Sequence, residues 1–392
     1  MFSKKTIKDV DVAEKRILVR VDFNVPIEDG KVGDDTRIKA ALPTIEYLLE
    51  RDAALILTSH LGRPKGAFDP SLSLRPVAEY LDQMIEAKVS FVEDCIGPKA
   101  DRAVSELKLG EVLLLENTRF HAGEKGNDPQ MAEALAKHAD LFVNDAFGTA
   151  HRAHTSNVGV AQYLPAVAGF LLEKEIRYLG NTIQNPAHPF IAILGGAKVS
   201  GKTKVIRNLI GKVDEILVGG GIANTFFLAQ GYQVGESLVE EDVLDIAKEL
   251  LEEAGDKLKL PVDMVIANEF DENAEKKTVP VSDVPDGWQI LDIGEETVEA
   301  YGESVNKAST VVWNGPMGVF EFERFAQGTF NLAKKVAESD AVSIVGGGES
   351  ASAIRKAGLE DKITHISTGG GASLQMLKGE TLPGLEALDD VE

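Results

Sequence analysis

The sequence predicts an α/β protein of two Rossmann-like domains, each a parallel sheet flanked by helices, joined by a hinge helix. Its 392 residues exceed what one ordinary domain holds, since domains mostly run ~100 to 200 residues. Short apolar, β-branched runs alternate with longer segments of helical periodicity, which is typical of parallel βα units. Near the middle, residues 173–186 indicate a helix that ends at Asn and Pro.

The first half contains four apolar runs that predict strands. Between them, residues 44–52 and 131–140 have helical patterns. The predicted strands cover residues 17–23, 54–60, 112–120 and 141–148.

The second half repeats this rhythm, with a helical pattern at 243–255 between strands. We therefore expect a first domain over 1–172, a hinge over 173–187 and a second domain over 188–375, with the tail 376–392 docked on the first. The predicted strands cover residues 190–196, 215–221, 262–268, 310–316, 342–348 and 364–371.

Composition excludes several classes of protein. The formal net charge of −22 would repel nucleic-acid backbones, so a phosphate ligand requires a local cluster of cations. Cys95 is the only cysteine, which excludes an intrachain disulfide and favours a reducing compartment. The start lacks the apolar region of a signal peptide, and no apolar stretch reaches the ~20 residues of a membrane span. We expect a cytoplasmic protein.

Charged and polar residues follow the strands of the first half. Ligands of open parallel sheets bind beyond the carboxyl ends of the strands, so these side chains are expected to converge on a small anion. Arginine suits that role because its planar fork binds carboxylate and phosphate in bidentate fashion. Asp22 and Asn24 are expected either to position a substrate hydroxyl or to hold an arginine. The cationic and imidazole candidates are Arg20, Arg37, His60, Arg63, Arg119, Arg152 and His154.

Glycine-rich loops close the strands of the second half instead. The loop 195–203 lies between a predicted strand and a predicted helix, so its amides, Lys198 and Lys202 are placed to bind phosphate. It also matches the Walker A pattern, with Gly196, Gly201, Lys202 and Thr203 in the required positions. A P-loop NTPase is therefore one alternative, although the later strands lack the terminal acid that such enzymes need.

Two further glycine loops, 346–350 and 367–373, also open predicted helices. Glu349 follows three glycines there and is a candidate ligand for a magnesium ion that bridges nucleotide phosphates. The simpler interpretation is an acid that complements the helix dipole.

Seven motifs together resemble those of the phosphoglycerate kinase family, in family order and over nearly the whole chain. The resemblance implies a cytosolic, monomeric, hinge-bending glycolytic enzyme that transfers a phosphoryl group between 1,3-bisphosphoglycerate and MgADP, with Mg²⁺ as cofactor. The motifs are RVDFNVP (20–26), SHLGRP (59–64), ENTRF (116–120), FVNDAFGTAHRAH (142–154), GGAKV (195–199), VVWNGPMGVFE (311–321) and HISTGGGAS (365–373).

The same resemblance implies residue roles. Arg37, Lys198 and Lys202 would surround the transferring phosphoryl group, and Glu349 would bind the metal. The residues implied to bind phosphoglycerate are Asp22, Phe23, Asn24, Arg37, His60, Leu61, Gly62, Arg63, Arg119 and Arg152. Those implied to bind nucleotide are Lys202, Gly219, Gly220, Gly294, Glu321, Gly347, Gly348, Glu349 and Ser350.

Three positions depart from the family pattern: Gly201 where aspartate is usual, Glu349 where aspartate is usual, and Glu295 where proline is frequent. A non-catalytic nucleotide-binding protein that lost turnover through the changes at Gly201 and Glu349 is a second alternative. The partners expected in either case are small molecules, without nucleic acid or membrane.

Overall fold

The structure is a computed structural model that describes residues 3–391, with only the main chain described at Asn181. The chain divides into two compact units, one of residues 1–177 and 381–392 and the other of residues 178–380. Each unit contains a parallel sheet flanked by helices, so the predicted fold class is confirmed. None of the helices between residues 3 and 391 is long and apolar enough to cross a membrane.

The first unit contains a six-stranded parallel sheet in the order β5-β6-β4-β1-β7-β8. Its strands, with a small hairpin β2–β3, are β1 Arg16–Arg20, β2 Ile27–Glu28, β3 Lys31–Val32, β4 Ala54–Thr58, β5 Val89–Val92, β6 Val112–Leu115, β7 Leu141–Asn144 and β8 Ala166–Ala168. The helices are α1 Thr36–Leu49, α2 Arg75–Met84, α3 Pro98–Glu106, α4 Pro129–Ala136 and α5 Phe170–Ile176.

The second unit contains a six-stranded parallel sheet in the order β11-β10-β9-β15-β16-β17 and a separate antiparallel sheet β13-β12-β14. Its strands are β9 Phe190–Leu194, β10 Glu215–Val218, β11 Leu258–Lys259, β12 Asp263–Ala267, β13 Lys276–Pro280, β14 Gln289–Ile293, β15 Thr310–Asn314, β16 Val342–Gly346 and β17 His365–Ile366. The helices are α6 Thr182–Gln184, α7 Thr203–Ile210, α8 Gly220–Ala229, α9 Leu244–Ala254, α10 Glu295–Lys307, α11 Gln327–Glu338, α12 Gly348–Lys356 and α13 Gly370–Leu377; α14 Pro383–Glu386 belongs to the first unit.

Hydrophobic burial explains why these runs form central strands. β4 and β9 are buried at every position, as expected for parallel strands covered by helices on both faces. In each unit the sheet order reverses beside the first long strand, since β1 lies between β4 and β7 and β9 lies between β10 and β15. Ligand crevices open at the carboxyl ends of strands at such reversals.

One predicted strand pairs differently from the sequence interpretation. The run 262–268 was expected to continue the parallel rhythm, but β12 pairs antiparallel with β13 and β14 in the small sheet.

The chain passes between the units within a helical stretch made of α5, a π-helical turn Arg177–Asn181 and α6. The predicted extent of the hinge stays a prediction.

Candidate active site

A cavity of about 400 Å³ lies at the carboxyl edge of the sheet in the first unit. Its wall is polar and carries five cationic side chains but only one carboxylate, that of Asp22. The lining residues are Asp22, Asn24, Arg37, His60, Gly62, Arg63, Arg119, Lys125, Gly148, Thr149, His151 and Arg152. We refer to it as the anion cleft.

The ends of neighbouring strands bring these residues together. Asp22 and Asn24 follow β1, and His60 follows β4, the strand that pairs with it. Arg119 lies in a 3₁₀ turn, Thr118–Phe120, after β6. Arg37 is the second residue of helix α1. The residues that sequence analysis gathered from distant motifs therefore share one sheet edge.

Hydrogen bonds fix the floor of the anion cleft. Arg37 Nη1 lies 3.2 Å from Asp22 Oδ2 and donates to the main-chain oxygen of Asn24 at 3.0 Å. Asn24 Oδ1 accepts from the amide of Gly62 at 2.8 Å, and Arg119 Nη1 donates to the Gly62 oxygen at 2.7 Å. These bonds hold the guanidinium groups in place before any ligand arrives.

A buried arginine supports the cleft from below. Arg20 is almost fully buried, and it donates to Ser156 Oγ at 2.8 Å. Its Nη2 lies 3.1 Å from Nδ1 of His60. Burial lowers the pKa of Arg20, whereas Glu124 and Asp22 raise it. Arg20 thus contributes positive potential without reaching the cavity wall.

His60, His151 and His154 have lowered pKa values and are neutral at physiological pH. Burial, and next the charge of Arg20, lowers the pKa of His60 well below its usual range. Burial and then Arg119 lower the pKa of His154 to about 4. Burial also lowers the pKa of Arg119 to about 10, which still leaves it charged. The positive charge of the cleft therefore comes from arginine and lysine alone.

Two predicted residues do not line the anion cleft. The side chains of Phe23 and Leu61 are buried in the hydrophobic core of the first unit. Sequence analysis missed Lys125 and His151, together with Gly148 and Thr149. His151 and Gly148 stood inside the motif 142–154, so that motif carried a signal for them.

A second cavity, of about 440 Å³, lies in the second unit, and its wall is mainly apolar. We call it the apolar pocket. Its apolar side chains include Leu238, Met264, Phe270, Val319 and Phe322, none of which sequence analysis had singled out. Of the residues predicted to bind nucleotide, Gly220, Glu321 and Glu349 line it.

Glycines bring main chain close together at one end of the apolar pocket. A Cβ atom at Gly219 would lie 2.6 Å from the sulfur of Met317. Gly220 has φ +64°, and a Cβ there would lie 2.9 Å from the oxygen of Gly196. Side chains are excluded at both positions because Gly196 and Met317 pack closely against the amino-terminal end of α8.

Lys202 precedes α7 and is partly buried in the second unit. Its Nζ donates to the main-chain oxygen of Asn314 at 3.3 Å and also to Asn314 Oδ1. Burial lowers the pKa of Lys202 to about 8, while Glu349 opposes this shift. Lys198, in the same loop, is exposed.

The loop after β16 presents Glu349 at the edge of the apolar pocket. Gly347 has φ +100° and precedes α12, whose first residues are Gly348 and Glu349. The Glu349 carboxylate is exposed and makes no hydrogen bond or ion pair with the residues from 3 to 391. A single free carboxylate at the start of a helix fits Mg²⁺, which takes few protein ligands and keeps several waters.

Two predicted nucleotide residues have structural contacts instead. Ser350 Oγ accepts from the amide of Gly315 at 2.6 Å. Gly294 precedes α10, where a Cβ would lie 2.1 Å from Oδ2 of Asp263. Neither residue lines the apolar pocket, and nor do Gly219, Gly347, Gly348 or Lys202. Their predicted ligand contacts stay predictions.

The Walker A match lacks its partner in the second unit. The strands that pair with β9 are β10 and β15, and they run into Gly219 and Asn314. Neither supplies the metal-binding acid that a P-loop NTPase requires. The strand-loop-helix geometry of residues 195–203 is thus not sufficient for that class.

Comparisons with known proteins agree over the full chain. The family model described as phosphoglycerate kinase matches residues 7–380. A phosphoglycerate kinase of Chloroflexus aurantiacus is 58% identical over 100% of both chains. The solved phosphoglycerate kinases of Coxiella burnetii and Pyrococcus horikoshii superpose with TM-scores of 0.89 and 0.86, at 41% and 38% identity, each covering 98% of both chains. The chain belongs to the phosphoglycerate kinase family.

Proposed function

We propose that this chain catalyses reversible phosphoryl transfer from 1,3-bisphosphoglycerate to ADP, giving 3-phosphoglycerate and ATP. It is then a kinase that acts on a carboxyl group. The observation that carries the proposal is the pair of cavities, one lined by five cations and one mainly apolar, within a chain of this family. The first suits a small, highly charged acid, and the second suits a nucleoside.

Phosphoglycerate is assigned to the anion cleft. Arg63, Arg119 and Arg152 supply forked donors for phosphate and carboxylate oxygens. Asp22 already holds Arg37, and its Oδ1 atom is buried without a hydrogen-bond partner. That unused acceptor is suited to a substrate hydroxyl. Both roles that the sequence left open for Asp22 are thus compatible.

The nucleotide is assigned to the apolar pocket. Leu238, Met264 and Phe322 would cover the base, since burial of apolar surface stabilises binding at roughly 25 cal/mol per Å². Glu321 at the wall is placed to accept hydrogen bonds from ribose hydroxyls. The phosphates would extend toward the glycines that begin α8 and α12.

Phosphoryl transfer needs charge stabilisation and positioning, without a covalent enzyme intermediate. We assign Arg37, Lys198 and Lys202 to the negative charge of the transferring group. Because the two ligands are assigned to different units, the reaction requires hinge-bending that brings the reactants together and excludes water.

Magnesium is assigned to Glu349, and it would neutralise charge on the nucleotide phosphates when bound. Glutamate has a longer side chain than aspartate, so Glu349 would bind the ion either directly or through a coordinated water. We also propose that the protein acts as a monomer in the cytoplasm, on the basis of its family membership and its sequence.

A coupled assay of ATP formation tests the function. The chain is mixed with 1,3-bisphosphoglycerate and MgADP, and ATP is measured. We expect ATP formation that depends on both substrates. ATP hydrolysis without phosphoglycerate would instead identify a P-loop ATPase, and nucleotide binding without turnover would identify a non-catalytic protein.

A further inference from the structure

Three side chains of the first unit form a cluster that the proposed reaction does not use. Asp94 and Cys95 follow β5, and His121 follows the turn that carries Arg119. The carboxylate, thiol and imidazole donor atoms all lie within 4.8 Å of one another. Between residues 3 and 391 this is the one group of three or more such donors at that spacing.

We propose that Asp94, Cys95 and His121 form a zinc site with water as the fourth ligand. Thiolate, imidazole and carboxylate are the donors that Zn²⁺ takes in proteins. The thiol argues against Mg²⁺ and Ca²⁺, which prefer oxygen ligands. Three protein ligands and one open position form a recognised zinc coordination.

The distances are close to those of a tetrahedral site. Bond lengths of roughly 2.0 to 2.3 Å place neighbouring zinc ligands about 3.3 to 3.8 Å apart. The distance from His121 Nε2 to Asp94 Oδ1 is 2.8 Å, and all the donor atoms of the cluster lie within 4.8 Å of one another. Cys95 is buried, whereas His121 and Asp94 are 33% and 37% exposed. The proposed site requires small rotations of the two half-buried side chains, those of Asp94 and His121, to reach ligand spacing.

Main-chain contacts keep the cluster in place. The amide of Cys95 donates to Asp94 Oδ1 at 2.8 Å. The amide of His121 donates to the oxygen of Thr118 at 3.1 Å, and the His121 oxygen accepts from Glu124 at 3.2 Å. The site would join the loop after β5 to the turn after β6, so bound metal should stabilise the first unit.

Zinc binding at Cys95 requires that the thiol lose its proton. An S–Zn bond replaces the S–H bond, and the proton leaves to solvent.

Cobalt titration of the metal-free full-length chain tests the site. Co²⁺ substitutes for Zn²⁺ and gives a thiolate-to-cobalt charge-transfer band, and Cys95 is the only cysteine in the chain, so the band reports this site alone. We expect the band to saturate at one equivalent, to disappear on addition of Zn²⁺ and to be absent in Cys95→Ser. His121→Gln and Asp94→Asn should each weaken cobalt binding by roughly tenfold or more.

The pair His188–Asp214 provides a matched control. Its imidazole and carboxylate lie 2.7 Å apart on the surface of the second unit, and no cysteine accompanies them. His188→Gln should leave the band and the cobalt affinity unchanged. Absence of a band in the wild type would overturn the proposal, and so would a band that His121→Gln and Asp94→Asn leave unaltered. Zinc should also raise the Tm of the wild type but not that of His121→Gln, and failure of this difference counts against the site.

Discussion

The anion cleft and the apolar pocket have nearly the same volume, about 400 and 440 Å³, but the wall of the cleft is polar and cationic whereas that of the pocket is mainly apolar. The cleft presents arginine forks that are fixed by hydrogen bonds to main-chain oxygens, as at Arg119 and Gly62. The pocket presents apolar side chains beside the closely packed glycines that begin α8. A compact anion offers little surface to bury, so it is bound by charge, whereas a nucleoside is bound by shape and its phosphates by helix ends.

The two units also differ in how their cationic side chains respond to pH. In the cleft, burial keeps the histidines neutral and leaves arginine and lysine to set the potential. In the second unit, Lys202 is partly buried and has a pKa of about 8, so its charge sits close to the titration range. The charge of Lys202 is therefore sensitive to pH, whereas the arginines that line the anion cleft stay charged.

Removal of one phosphoryl-binding cation from either unit should have the largest effect. Arg37→Ala and Lys202→Ala are each expected to lower kcat by ~10² to 10³, since each removes a donor to the developing charge. Arg102→Ala and Lys204→Ala are matched controls, because both residues are exposed and pair with acids on the surface. Steady-state kinetics measures kcat for each variant, and circular dichroism checks that the variant is folded. More than half of wild-type activity in either test variant would remove that residue from the catalytic set.

Each ligand alone should protect amides in one unit. Phosphoglycerate should slow hydrogen exchange before residue 172, around Asn24 and Gly62, and ADP should slow it after residue 187, around Gly220 and Glu349. Ligand at 100 times Kd slows exchange through local opening by up to ~100-fold. Hydrogen-exchange mass spectrometry with each ligand separately measures the pattern. Protection by ADP centred on residues 20–63 would contradict the assignment.

The loss of activity at alkaline pH, the alkaline limb of the pH profile, should follow the deprotonation of Lys202. Because the cation is the active form, deprotonation as the pH rises through about 8 should lower kcat/KM for the nucleotide. The loss should approach tenfold for each further pH unit. Lys202→Arg should move this limb to higher pH, since guanidinium stays charged, even if its rate at pH 7 is lower. A pH profile of Lys202→Arg that coincides with the wild type would assign the limb to another group.

Much of the fold could be predicted from the sequence, because buried parallel strands appear as continuous apolar runs. The strand β12 shows the limit of that signal: its apolar run, in 262–268, does not reveal whether the partners are parallel or antiparallel. β5 was missed because three of its four residues are only half-buried, which leaves no clear apolar run.

Some residues of the candidate site could be predicted from the sequence and others could not. Arginines and glycines at strand ends are unusual enough to be recognised in a sequence, as with Arg119 and Gly220. Leu238 and Met264 were missed because an apolar residue that lines a pocket has the same sequence pattern as one that fills a core. Phe23 and Leu61 illustrate the converse, since motif membership named them although their side chains lie in the core.

The smallest expected effect concerns Glu349, where the second unit would hold its metal. Glu349→Gln keeps the shape and removes the charge, so a magnesium ligand would be lost while the fold is retained. We expect the Mg²⁺ concentration needed for half-maximal turnover to rise several-fold, with kcat at saturating Mg²⁺ changed little. An acid in the first turn of a helix contributes only ~0.3 to 1 kcal/mol to stability, so Tm should hardly move.

Asp245→Asn is the matched control, because Asp245 also lies in the first turn of its helix, α9, and is 96% exposed. Both variants should lose the same small stability, but only Glu349→Gln should alter the magnesium titration. If the two titrations coincide with that of the wild type, Glu349 is a helix-end acid, and the metal is held by phosphates and water alone.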